Sequence, residues 1–221
     1  MSSPAHRGRA PRGGVPRSPD RRSDRDPAPK RPRERLSSEA RRGQILDAGR
    51  ELFVSTPYDQ VSMDDVATKA GVSKGLVFFY FGSKRELYVE LVREAARDLI
   101  DKTAPNQALP PLERLHAGVL AYLMYVEDNA NGYVSLFKSG LGVDPEIAKI
   151  VDDARSRMVE RVLEGLPGKR GVLADVLTRG FIGFVEAATL AWIERGGMSR
   201  EDLVTELMRV ASFRLGQLAD P

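Results

Sequence analysis

The chain contains no cysteine. Disulfide frameworks and thiolate metal sites are therefore excluded. Histidine is almost as scarce: the two are His6 and His116, and neither has partners at metal-ligand spacing. There is no Gly-rich phosphate loop of the P-loop type and no nucleophile elbow. The sequence thus offers no catalytic, metal or cofactor site, and a protein that is not an enzyme is expected. Long hydrophobic runs are missing too. The longest, around residues 180–193, is interrupted by Glu186 and falls short of the ~20 residues that span a bilayer. The N-terminus lacks the apolar stretch of a signal peptide. A soluble, cytoplasmic chain with no membrane segment follows as the expectation.

The formal charge of +3 conceals an asymmetry. Residues 1–38 carry 11 Lys/Arg against 4 Asp/Glu, a net of +7, which leaves the remainder at −4. Residues 1–36 are rich in Pro, Arg, Gly and Ser, with few apolar residues and no period. Such a segment buries too little surface to offset chain entropy. It reads as a disordered basic arm, either a solubilising tail or a segment that lies on nucleic-acid phosphates or in a minor groove.

From residue 37 onward the apolar spacing is helical nearly throughout, and an all-α fold of about nine helices is predicted. The first runs from Ser38 to Val54, with Ile45, Leu46, Ala48, Gly49, Leu52 and Phe53 on one face, and breaks at Thr56-Pro57-Tyr58. Two short helices follow, one starting at Ser62 and ending at Gly71, the other capped by Ser73. Ser83 and Glu86 open a longer helix to about Lys102. Further helices are predicted over residues 112–128, 133–139, 145–164, 172–195 and from Ser199 to about Leu218. Ile147, Ile150, Val151, Ala154, Met158 and Val162 form the inner face of the seventh.

The informative stretch is SMDDVATKAGVSKGLVFFYFGSK, residues 62–84. Two short helices joined tightly at Gly71-Val72-Ser73 have the form of a helix-turn-helix, with the turn placed where only glycine is unstrained. Its second helix would enter a major groove N-terminus first. Ser73 can cap it and donate to a phosphate; Lys74 can reach a guanine edge or a phosphate. Gly75 permits close backbone approach, and Leu76 can touch a thymine methyl. Phe79 and Tyr80 can brace the sugar-phosphate strand, with Lys84, Arg41 and Arg42 adding phosphate contacts. Val77, Phe78 and Phe81 are expected to pack inward, Phe81 against the first helix.

The run GVSKGLVFFYFGSKREL resembles the signature of the TetR family of transcriptional regulators, and ILDAGRELFVSTPYDQVSMDDVATKAG is similar to that family's first two helices. The likeness covers residues 38–94 without a gap. It implies a DNA-binding domain over residues 37–98, with the helix-turn-helix at 62–81, and a ligand-binding and dimerisation domain over 99–221. It implies DNA contacts at Ser62, Ser73, Lys74, Gly75, Phe79, Tyr80 and Lys84. Leu76 stands where threonine is common and Phe78 where tyrosine is common, so each has lost a hydroxyl that bonds DNA.

In the C-terminal half, the helix over residues 172–192 is apolar nearly all round, and the last helix carries Leu203, Val204, Leu207, Met208, Ala211, Leu215 and Leu218. Together they suit a four-helix interface with a second copy, hence a homodimer and a palindromic operator. Leu120, Leu123, Met124, Tyr133, Leu136, Phe137 and Phe184 are candidates to line an apolar cavity for a small hydrophobic effector, with Glu186 meeting either a polar ligand group or an arginine. A sequence-specific regulator is predicted, a repressor released by that effector. The alternative is a helical small-molecule or lipid-binding protein whose DNA-binding role has been lost. Specific binding to a palindrome separates the two.

Overall fold

A computed structural model describes residues 37–138, 144–165 and 171–215, with backbone only for Lys138 and the last three. The arm expected over residues 1–36 and the helix ends expected at Ser139 and Leu218 lie outside the described residues.

Ser37 starts the first helix of the described residues, α1 (Ser38–Ser55), by accepting a hydrogen bond from the Ala40 N–H at 3.1 Å. Its buried face is Ile45, Leu46, Ala48, Gly49 and Phe53, as the spacing requires. The predicted break holds, and a 3-10 turn over Tyr58–Gln60 fills it. Ser62 then caps α2 (Met63–Ala70) in a complete capping box: the Asp65 N–H donates to Ser62 Oγ, and the Ser62 N–H donates to Asp65 Oδ2 at 2.8 Å. Gly71 ends α2 in the left-handed region, φ 63°. Ser73 caps α3 (Lys74–Phe81), and Ser83 caps α4 (Lys84–Lys102). These four helices enclose one core, centred on Ile45, Val66, Val77 and Leu87, each fully buried.

Five more helices complete the described residues: α5 (Pro111–Asp128), α6 (Ala130–Lys138), α7 (Pro145–Gly165), α8 (Val172–Arg195) and α9 (Arg200–Leu215). α6 begins three residues before the predicted start: the chain turns at Asn129, and Asn131 and Gly132 are taken into the helix. A second core joins α5, α8 and α9 through Leu123, Val126, Phe181, Val185, Val204 and Leu207. α8 keeps its predicted bounds, and by length and composition alone it could cross a bilayer. Its Phe181, Val185 and Thr189, however, are buried in the protein.

α7 belongs to both halves. Ile147, in its first turn, is fully buried inside the core of α1–α4, and Asp144 caps its start by accepting from the Glu146 and Ile147 N–H groups. Arg85 of α4 clamps the same carboxylate, donating from Nε to Oδ2 at 2.6 Å and from Nη2 to Oδ1 at 2.8 Å. Ion pairs then run on from Arg85 to Glu146, Arg93, Glu90 and Arg42.

The Arg85 guanidinium holds the Asp144 carboxyl below its ordinary 3.8. A carboxyl lowered in the folded state contributes stability that is complete above the unfolded value and lost as pH falls through the folded one. Urea unfolding should therefore show stability falling below about pH 4. Asp144→Asn, which keeps a helix cap but not the charge, should flatten that decline.

Candidate nucleic-acid interface

α3 spans two turns and uses one side for packing. Val77 and Phe81, four residues apart, are buried in the first core. The other side is left to solvent: Ser73, Lys74, Gly75, Phe78 and Phe79 are exposed, Phe79 by 77%. Phe78 corrects the inward expectation. It follows Lys74 by four residues and so shares that outward face.

Ser73 Oγ accepts from the Leu76 N–H, which fixes the start of the helix. Lys74 Nζ donates to Asp64 Oδ2 at 2.7 Å across the turn, and both side chains are more than half exposed. A Cβ at Gly75 would meet nothing within 4 Å, so the approach to its backbone is open. Leu76 is half-buried. The Tyr80 hydroxyl pairs with Ser38 Oγ at 3.1 Å, and its ring stands edge-on to Phe79. Ser62 is exposed, with its hydroxyl turned to Asp65.

The cations flanking this face are engaged within the protein. Lys84 Nζ donates to the Tyr58 and Val61 carbonyls at 2.9 and 3.0 Å and sits 4.3 Å from the Tyr58 ring. Its ammonium closes the end of the 3-10 turn, adding a second donor to the Tyr58 carbonyl, which already accepts from the Val61 N–H. Arg42 lies over the Phe81 ring and pairs with Glu90, and Arg41 donates to Gln44, whose amide in turn holds the Ala70 carbonyl. Lys84→Met should accordingly lower stability by about 1.5–3 kcal/mol, the weight of hydrogen bonds from a charged donor. Chemical denaturation measures this directly.

Two cavities, each open to solvent on one side, lie in the rest of the fold. One, of about 410 Å³, is lined along α5 by Leu112, Leu115, Gly118, Val119 and Tyr122, with residues of α7 and α8 opposite. The second, of about 530 Å³, reaches Phe53, Val54, Tyr88 and Leu91, residues of α1 and α4. Tyr122, Met158 and Glu186 line both. Glu186 accepts from Arg155 Nε of α7 on both carboxylate oxygens, at 2.8 and 2.9 Å. Beside it the Tyr122 and Tyr133 hydroxyls bond each other at 2.7 Å. Burial pushes the Tyr133 hydroxyl up to about 12 and that of Tyr122 well above its ordinary value, so both stay protonated at neutral pH.

Tyr133, Leu136, Phe137 and Glu186 line the second cavity. Leu120, Leu123, Met124 and Phe184 line neither. Leu123 is fully buried in the second core and Leu120 packs on it. Met124 and Phe184 are exposed. The cavity-lining stripe of α5 runs through residues 115, 118, 119 and 122, and periodicity alone does not say which of two apolar stripes faces a void.

A family model described as bacterial regulatory proteins, tetR family, matches residues 45–91, and one described as tetracyclin repressor-like, C-terminal domain, matches residues 111–213. A curated relative, the HTH-type transcriptional activator FasR of Mycolicibacterium smegmatis, is 31% identical over 169 residues, covering 75% of this chain and 77% of its own. The chain belongs to the TetR family. It is therefore a DNA-binding regulator of helix-turn-helix type.

Other transcriptional regulators share parts of it. The HTH-type transcriptional regulator HbdR of Aromatoleum is 29% identical over 129 residues, covering 57% of this chain and 56% of its own. A TetR-family regulator from Streptomyces coelicolor superposes with a TM-score of 0.74 at 26% identity, over 83% of this chain and 88% of the other. FadR from Bacillus subtilis, solved in complex with stearoyl-CoA, gives 0.65 at 18% identity over 76% and 96%, a likeness of fold alone. Within this TetR-family chain, two pairings were not legible in the sequence: Asp64 is the partner of Lys74, ten residues away across the turn, and Arg155 is the arginine that meets Glu186, thirty-one residues away on another helix. Ile147, expected on the inner face of its helix, ties α7 into the core of α1–α4.

Proposed function

We propose that the protein is a homodimeric, cytoplasmic repressor that reads a palindromic operator with the outer face of α3 and releases it when a hydrophobic effector fills the two cavities. The observation that carries this is the division of α3: Val77 and Phe81 are spent on the core while Ser73, Lys74, Gly75, Phe78 and Phe79 are exposed to solvent. Lys74 is the base-reading cation, with Leu76 and Phe78 making apolar contact and Tyr80 bracing the backbone. Residues 37–98 act as the reading head and 99–221 as the effector and dimer domain.

The second cavity touches α1 and α4 of the head, so an effector there has differential contact with the two states of the dimer, as a population shift requires. The acyl thioester held by the Bacillus subtilis neighbour supports an acyl-like effector. Relatives carry both names, activator and repressor, and the sign of control follows from where the operator lies relative to the promoter.

Selection from random duplex DNA tests the reading. A palindrome should be enriched, and Lys74→Ala should weaken binding to it by roughly tenfold to a hundredfold, the worth of one good base contact. Enrichment of no site at all would favour the alternative of a lipid-binding helical protein without a DNA role.

A further inference from the structure

The cavity of about 410 Å³ is apolar along its length but not at its end. Arg114, in the first turn of α5, and Arg161, near the end of α7, both line it, together with Thr103 at the close of α4. The opposite end, two turns along α5, is formed by Tyr122, Met158 and Glu186.

These two arginines differ from their half-buried neighbours. Arg155 faces Glu186, and Arg200 faces Glu127 and Glu201. Arg114 donates from Nη2 only to the Gln107 and Leu109 carbonyls, and its buried Nε has no partner. Arg161 donates from Nη1 to the Ile100 carbonyl and to Thr103 Oγ1, at 2.6 and 3.3 Å. Among the described residues, neither is joined to a carboxylate. A guanidinium cannot shed its charge, and a charge drawn partly out of water ordinarily finds a counter-ion. Two such groups at one end of an apolar cavity leave a place for an anion, which each can grip with paired donors. The start of α5 adds to the same field, because Pro110 gives it no side-chain cap and its first N–H groups lie at this end.

The geometry points to Arg114 and Arg161 as the receptor for an anionic group on the effector. The ligand is a single-chain amphiphile: its tail lies along α5 from Pro111 to Tyr122, about 16 Å by helix rise, and its carboxylate or phosphate sits at the two arginines. This rests on the effector reading above and adds the chemistry of the head group.

Calorimetry on the full chain tests it with three probes sharing one tail: dodecanoate, dodecanoyl-CoA and methyl dodecanoate. An anionic probe should bind at least about tenfold more tightly than the neutral ester, the weight of a charge-assisted pair. Preference for dodecanoate assigns the anion as a carboxylate, and preference for dodecanoyl-CoA alone assigns it as phosphate. In Arg114→Met that preference should shrink to within about threefold while the ester's own affinity holds. Arg161→Gln serves as a second variant should the first fold poorly. If the arginines merely fasten the loop over residues 103–111, acid and ester affinities will fall together, and the proposal is overturned. It is equally overturned if all probes bind alike in the native protein, or none binds. Operator binding measured in the same solutions separates the two readings. An arginine-dependent anion preference with unchanged operator affinity would keep the anion site and sink the effector role.

Discussion

Ile147→Ala is expected to destabilise the protein by about 2–5 kcal/mol, the range for removing most of a fully buried aliphatic side chain. Ile147 has no exposed surface and sits among α1–α4 residues although its helix belongs to the C-terminal half. The cavity would open where α7 meets α4, beside the Arg85–Asp144 clamp. Two effects should therefore appear together. The unfolding midpoint should drop, and at concentrations where the variant is still folded its operator affinity should respond less to effector. Denaturant titration reads the first and fluorescence anisotropy with labelled operator reads the second. A variant as stable as the native protein would show that the α7 anchor is not a packing constraint.

Phe184→Asp is expected to leave the fold intact and abolish dimerisation. The described part of α8 presents a stripe of exposed apolar or small residues, with Val172, Leu173, Val176 and Phe184 between 46% and 83% exposed and Gly180, Gly183 and Ala187 alongside. Contiguous apolar exposure of this kind marks an interface, and glycine and alanine let a partner helix approach closely. Linking two reading heads multiplies operator affinity by about 10²–10⁴ over one head, so the variant should lose that factor while its circular dichroism and melting temperature stay near native. Sedimentation should show half the mass. A variant that keeps both its mass and its operator affinity would place the dimer face elsewhere.

The local grammar of the chain was readable from sequence because its causes are local. Ser62, Ser73 and Ser83 each cap a helix, and Gly71 takes the left-handed turn. Each effect spans at most four residues. The exposed face of α3 was mostly legible for the same reason. Phe78 was misjudged because an aromatic residue is ordinarily core, whereas on a two-turn helix with Val77 and Phe81 already inward there is no room on that side. The cavity was half legible. Tyr133, Leu136, Phe137 and Glu186 face it, but Leu120, Leu123, Met124 and Phe184 do not, since which stripe of an apolar helix faces a void depends on its neighbours. Lys84 shows a third kind of limit. A lysine at the start of a helix beside a DNA-reading motif suggests a phosphate contact, yet its ammonium is committed to carbonyls more than twenty residues upstream.

The anchoring of α7 bears on how such proteins can be recombined. A reading head cut after α4 would leave behind Ile147 from its core and Ile150 and Val151 that pack against it, together with the carboxylates that pair with Arg85 and Arg93. A fragment of residues 37–98 would thus present an unfilled slot to water. A chimera that grafts this head onto another regulator must carry the first two turns of α7 with it, or borrow a helix that offers an aliphatic side chain and an acid at the same places. The graftable unit in this protein is discontinuous in sequence, and a crossover chosen only at the end of α4 would join two halves that do not fit.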